Sequence, residues 1–266
     1  MLIKSDVHMH TTFCDGKSSM EDMVKAAVAS GMDTVGISFH SYTDFDRSYC
    51  IKDYPAYMRE LLRLRREYSG KIYILGGVEL DLYGELPPEY DYTIGSVHYL
   101  KVGDSYIPVD DSAEKFIEGV NEFFGGDVYA ACERYYEEVE ELADGISPNI
   151  YGHFDLITRF NGENKLFDEG NLRYKAAALS AVENLPAGAV VEVNLGRLNR
   201  YGGGIYPSDW LIREMVLRGC RFMLSSDAHT ASGVGAGFDE ACAKLRRLGV
   251  RSLVRFMGDR LVRVEI

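Results

Sequence analysis

This 266-residue chain is short of tryptophan, cysteine and proline, with one, five and seven of them. The cysteines are Cys14, Cys50, Cys132, Cys220 and Cys242. They are odd in number, and no two lie close in sequence. That argues against a disulfide framework and against a cysteine-rich zinc knuckle, and it fits a reducing cytoplasm. No apolar run reaches the roughly 18 residues of a membrane span. The opening residues, Met1-Leu2-Ile3-Lys4-Ser5-Asp6, lack the layout of a secretory signal. Basic residues are scarce too, 29 against 41 acidic ones, for a formal charge of −12. Such a surface repels nucleic-acid phosphates and anionic membranes, so nucleic acid and membrane are not expected partners. An anionic small molecule would need a local positive site. No glycine-rich stretch matches a full phosphate-loop pattern. Gly233-Val234-Gly235-Ala236-Gly237 lacks the dinucleotide spacing and reads as a tight loop entering a helix. Tyr201-Gly202-Gly203-Gly204 reads as a flexible loop edge; a phosphate-cradling role is the alternative, weakly signalled because no P-loop pattern surrounds it.

What the chain has is alternation. Strand-like runs at 2–10, 33–39, 72–80, 92–97, 149–152, 189–194 and 221–225 are interleaved with helical ones. The helices are expected at 20–30, 55–68, 128–143, 171–184, 208–218 and 239–248. Ser18 or Ser19 is placed to cap the first of them, and Gly31 to stop it. Residues 252–256 and 261–265 could form a closing hairpin around Gly258-Asp259. Alternation of this kind means βα units about a parallel sheet or barrel. No linker, composition break or internal repeat interrupts it, so one domain over residues 1–266 is expected.

The six histidines decide between sheet and barrel. They lie in Asp6-Val7-His8-Met9-His10, Ser38-Phe39-His40, Gly95-Ser96-Val97-His98, Gly152-His153-Phe154-Asp155 and Ser225-Ser226-Asp227-Ala228-His229. Each motif falls at or just past a predicted strand end, and Glu79 closes another strand. In a βα barrel these ends meet on one face, where active sites lie. An open sheet would spread them along a line.

His8 and His10, two apart on a strand, share a side. A buried histidine pair without metal would need several hydrogen-bond partners and would have its pKa lowered. Asp227 and His229 repeat the geometry. His40, His98 and His153 would each be single ligands. Glu79 could be a salt-bridged structural acid, but a carboxylate can also bridge two metals; Asp81 competes for that role. Cys14, between His10 and Asp15, reads as a small buried thiol, with the site's edge as the alternative. So many imidazoles with carboxylates exceed one mononuclear site. They point to two or three divalent ions and metal-assisted hydrolysis. Zn, Mn, Fe and Co all suit such ligands. Arg159 and Arg197 follow two of the motif strands and suit bidentate phosphate binding. A lone loop arginine is more often a plain surface charge. The basic runs at 63–66 and 244–247 read as solvated helix faces.

The set His8-x-His10-Thr11, Asp15-Gly16, His40, Glu79, His98, Gly152-His153-x-Asp155 and Asp227-x-His229 resembles the PHP family. These are metallo-phosphoesterases named for polymerase and histidinol phosphatase domains. Softer features, around Phe13-Cys14-x-Gly16, Leu156 and Tyr206-Pro207-Ser208, are most similar to its monofunctional histidinol-phosphate phosphatases. The resemblance implies a distorted (β/α)7 barrel with a trinuclear site at the C-terminal strand ends. It implies that His8, His10, Glu79 and Asp227 hold the first metal. Glu79 would bridge to a second, held by His98 and His153, with the attacking hydroxide between the two. Asp15, His40 and His229 would hold the third. Many family members carry histidine where this chain has Asp15, which makes that site richer in oxygen. The activity implied is hydrolysis of L-histidinol phosphate, in histidine biosynthesis. The alternatives are another small phosphate ester, or nucleotides and nucleic-acid ends. A metal-binding module serving a partner is the reading from a different class; it predicts eroded ligands and adjoining domains.

Overall fold

The computed structural model describes residues 2–266, the side chain of Asn164 excepted. β1 (Ser5–Asp6) leads to α1 (Met20–Ala29), β2 (Thr34–His40), α2 (Tyr54–Glu67), β3 (Tyr73–Asp81) and β4 (Tyr92–Ser96). A hairpin follows, β5 (Tyr99–Val102) and β6 (Ser105–Pro108), then α3 (Ala113–Phe124) and α4 (Val128–Gly145). Next come β7 (Ile150–Tyr151), α5 (Leu172–Asn184), β8 (Val190–Asn194), α6 (Gly196–Tyr201) and α7 (Asp209–Leu217). β9 (Arg221–Ser225), α8 (Phe238–Arg247), β10 (Ser252–Met257) and β11 (Arg260–Glu265) complete the chain's elements.

Seven strands pair in parallel in the order β1-β2-β3-β4-β7-β8-β9. A parallel bridge from Met9 to Ala228, with the His10 N–H donating to the Ala228 carbonyl at 2.8 Å, brings the last strand back to the first. The result is a nearly closed barrel with helices outside, as the alternation predicts.

The first strand is shorter than the expected 2–10. Side chains take hydrogen bonds that a ladder would otherwise use. The Tyr92 hydroxyl donates to the Val7 carbonyl at 2.5 Å, and Met9 exchanges hydrogen bonds with the Ser38 hydroxyl. The chain stays extended enough to keep His8 and His10 on one side.

Helix starts follow local chemistry. The Ser19 hydroxyl accepts from the Asp22 N–H, and the Asp53 carboxylate from the Ala56 N–H. Gly237, at φ +78°, opens α8 from the left-handed region. The C-terminal hairpin turns at Gly258, as expected. It packs beneath the barrel: Val254 and Phe256 join Val7, Tyr92, Ile94, Ile150 and Met223 in an inner apolar cluster. Arg255 pairs with Asp33 at 2.6 Å, and the Gly258 N–H donates to the Thr34 hydroxyl, both at the start of β2. The lower end is thereby plugged, and the upper end holds the polar residues.

Candidate metal centre and cavity

Every histidine arrives at the upper end. His8 and His10 follow β1, His40 ends β2, and Glu79 lies in β3. His98 follows β4, His153 follows β7, and Asp227 and His229 follow β9. Asp15 comes from the loop before α1.

Glu79, 1% exposed, organises them. Its Oε2 lies 3.1 Å from His8 Nε2, 3.2 Å from His10 Nε2 and 3.0 Å from His40 Nδ1. Its Oε1 lies 2.7 Å from His153 Nε2 and 3.2 Å from His98 Nε2. The two oxygens thus divide five imidazoles into two sets. Asp227 Oδ1 is 3.6 Å from His10 Nε2 and 4.0 Å from His8 Nε2. Asp15 meets His229 Nε2 at 3.0 Å and His40 Nε2 at 3.5 Å. Three groups have ligand atoms close enough to hold an ion: His8, His10 and Asp227; His40, Glu79 and His98; and His10, Asp15, His40 and His229.

The donors fit divalent metal. His8 Nε2, His10 Nε2, His40 Nδ1 and Glu79 Oε2 are all buried without a hydrogen bond. Orphaned lone pairs packed this closely are costly unless a cation satisfies them. Ligand atoms of a tetrahedral site with about 2.0–2.1 Å bonds lie roughly 3.3 Å apart, close to the spacings seen. Burial, with His40 and His229 alongside, pushes His10 down to about 3 and keeps it neutral. Burial opposes the charge on Glu79, yet His40, His8 and His98 hold it well below the usual carboxylate range.

A second layer aims the first. Glu192 Oε1 meets His8 Nδ1 at 2.5 Å, and Glu192 Oε2 accepts from the His153 N–H at 2.8 Å. Ser225 donates to the same carboxylate. Asp81, the competitor for bridging, instead faces His98 Nδ1 at 3.2 Å and accepts from the His98 N–H. Partners of this kind fix ring orientation and raise ligand basicity. Asp227 sits at φ +50°, a left-handed conformation rare for a non-glycine residue. Cys14 is buried, its Sγ 3.5 Å from His10 Nδ1.

Sequence comparison fixes the family. The PHP domain model matches residues 6–195. The chain belongs to the PHP family. Among curated PHP relatives, the histidinol-phosphatase of Bacillus subtilis is 27% identical, over 89% of this chain and 97% of its own. The histidinol-phosphatase of Lactococcus lactis is 24% identical, over 97% and 96%. The solved structure of hisK from Listeria monocytogenes superposes with a TM-score of 0.74 at 22% identity, covering 90% of this chain and all of that one. A histidinol phosphate phosphatase structure from Lactococcus lactis, complexed with zinc, L-histidinol and phosphate, gives 0.66 at 20%, covering 98% and 100%. At these identities the structural likeness concerns the fold, and it agrees with the barrel described above.

The PHP barrel opens into a cavity that contains Glu79, His98, His153, Asp227 and both expected arginines. Arg159 pairs with Asp110 at 3.1 Å, and its Nη2 lies 3.2 Å from the Tyr201 hydroxyl. Arg197 lies over the Tyr206 ring, 5.8 Å from its centroid. A third arginine, Arg200, was not legible in the sequence. It pairs with Asp227 Oδ2 at 2.9 Å and approaches His229 Nδ1 at 3.0 Å. Gly196 makes room for it: a Cβ there would meet Asp227 Oδ2 at 2.6 Å and Arg200 Nη2 at 2.9 Å. Glu192 did leave a signal, a lone acid inside the apolar run Val190-Val191-Glu192-Val193. Asp46, Asp110 and Asp111 also line the cavity.

Proposed function

We propose that this chain is a metal-dependent phosphomonoesterase hydrolysing L-histidinol phosphate to L-histidinol and phosphate. The observation that carries the chemistry is the convergence of His8, His10, Asp15, His40, Glu79, His98, His153, Asp227 and His229 on one barrel end, with buried lone pairs facing one another. His8, His10, Glu79 and Asp227 would hold one divalent ion, and Glu79, His98 and His153 a second. Asp15, His40 and His229, with His10 close by, would hold a third. Zinc is bound in the Lactococcus relative; manganese and iron suit the same donors. When bound, the metals supply Lewis-acid polarisation of the phosphoryl oxygen and lower the pKa of coordinated water to about 7.

The chain's own residues do the rest. Glu79 keeps its charge and divides it between two sets of imidazoles. Glu192 and Asp81 hold His8 and His98 in place. Arg159 and Arg197 bind the phosphate, and the flanking Asp46, Asp110 and Asp111 favour a substrate whose other end is cationic. Histidinol phosphate has both halves. The match to histidinol-phosphatases along nearly their whole length supports this substrate. A metabolic enzyme of this kind would work in the cytoplasm. Among the described residues no helix is long and apolar enough to cross a membrane.

The test is kcat/KM for L-histidinol phosphate against a sugar phosphate and a dinucleotide. Preference for histidinol phosphate by more than about tenfold, some 1.4 kcal/mol, is expected. A large preference for either competitor would leave the metal centre standing and remove the named substrate.

A further inference from the structure

Tyr206 is held from both sides. Its N–H donates to the Asn194 carbonyl at 3.1 Å, and its own carbonyl accepts from the Asn194 N–H at 2.8 Å. Two residues on, the Ser208 N–H donates to Asp155 Oδ2 at 2.8 Å. The residue is 3% exposed and lines the cavity beside Glu79, His153, Arg159 and Arg197. Its ring centroid is 6.4 Å from that of His153.

Nearby Tyr135 and Tyr136 place their hydroxyls on the Phe154 carbonyl and on Tyr174. The Tyr206 hydroxyl is buried, and among the described residues it has no hydrogen-bond partner. The hydroxyls of Tyr49, which lines the same cavity, and of Tyr151 are also buried and unbonded, but Tyr49 has Thr43 and Tyr99 beside it and Tyr151 has Ser147; the Tyr206 hydroxyl has no such neighbour among the described residues. A buried O–H is normally paired, and an exception calls for an explanation. Here the explanation lies in what the cavity receives. Hydrolysis of an alkyl phosphate expels an alkoxide, a strong base, and the metal-ligating side chains described above offer no proton for it. We propose that Tyr206 is the proton donor to the leaving-group oxygen, a role that rests on the phosphomonoesterase reading given above.

The atoms balance as follows. The bond from phosphorus to the alcohol oxygen breaks while the bond to the water oxygen forms. Tyr206 gives its proton to the departing oxygen. The proton released by the attacking water passes to solvent, and the phenolate takes one back. A phenol, with an ordinary pKa of about 10, is protonated at neutral pH. An alkoxide is more basic still, and the transfer runs downhill.

Tyr206→Phe keeps the ring beneath Arg197 and removes only the hydroxyl. Its kcat should be measured on L-histidinol phosphate, which needs a protonated leaving group, and on p-nitrophenyl phosphate, which does not. Metal content and melting temperature should match wild type. General acids contribute about 10²–10⁴-fold. We expect a loss of about 100-fold on histidinol phosphate and less than about threefold on the nitrophenyl ester. Equal losses on both esters would assign the hydroxyl to phosphate binding or packing and overturn the proposal. No loss on either would overturn it too. A wild type that hydrolyses neither ester would overturn the phosphomonoesterase reading along with it.

Discussion

Glu79 is the meeting point of five imidazoles, and its substitution is the most informative at the residue scale. Glu79→Gln should lose more than one metal equivalent and at least about 100-fold in kcat, read by elemental analysis beside turnover. Loss of a single equivalent would contradict bridging. Glu192 touches His8 and the His153 backbone, so Glu192→Gln should weaken metal binding about 10–100-fold. Competition with a chelator measures it, and unchanged affinity would refute the orienting role. Arg159→Ala and Arg197→Ala should each cost about 10–150-fold in kcat/KM, the worth of a charge-assisted contact. Arg63→Ala is the control. Arg63 lies on α2 among Glu21, Glu60 and Glu67, away from the cavity, and its loss should leave turnover unchanged. If both cavity variants match wild type, the phosphate is not held by these arginines.

At the scale of elements, α4 and the β5–β6 hairpin meet through one buried acid. Glu138 on α4 is fully buried and accepts from the Lys101 N–H at 2.7 Å, with Arg134 Nε 2.9 Å away. Burial pushes it up to about 7, against the Lys101 N–H and the Arg134 charge, which lower it. Its folded pKa exceeds the usual 4.5, so its contribution to stability is complete below about pH 4.5. That contribution is lost as pH rises through about 7. Glu138→Gln should therefore gain stability relative to wild type across that window, by roughly 3 kcal/mol at the upper end. Paired denaturation curves from pH 5 to 8 would show it; a constant difference would contradict it.

Elements whose logic is local were legible from the sequence. Ser19 before α1, Gly258 in the closing hairpin and the apolar runs of β2, β3, β8 and β9 all carry their own signals. The β5–β6 hairpin, α3 and α6 were not foreseen, because their reasons are tertiary. α3 has a serine cap, but Gly119 interrupts its apolar pattern. That glycine exists for Ile107 of β6, which a Cβ would meet at 2.2 Å. α6 is a helix of 6 residues, of which Gly196 and Arg200 make sense only beside Asp227. The histidines were legible because two-residue spacing and strand-end position are local. Arg200, Tyr206 and the pairing of Arg159 with Asp110 depend on loops brought together by closure.

Over the whole molecule, an acidic chain surrounds a cavity whose carboxylates outnumber its arginines, so it would take bound divalent ions to make it positive. The barrel brings nine donors from seven separate segments to one end and plugs the other with the C-terminal hairpin. Cys14, beside His10, is buried and its thiol pKa is raised by that burial, so Cys14→Ser should keep its activity. The central claim is that these donors hold catalytic metal. Elemental analysis of gently purified protein, paired with histidinol phosphate turnover on the same sample, tests it most directly. The account predicts more than one and up to three divalent ions per chain, with turnover lost on stripping and regained on reconstitution. Protein reproducibly free of metal and still fully active would contradict it.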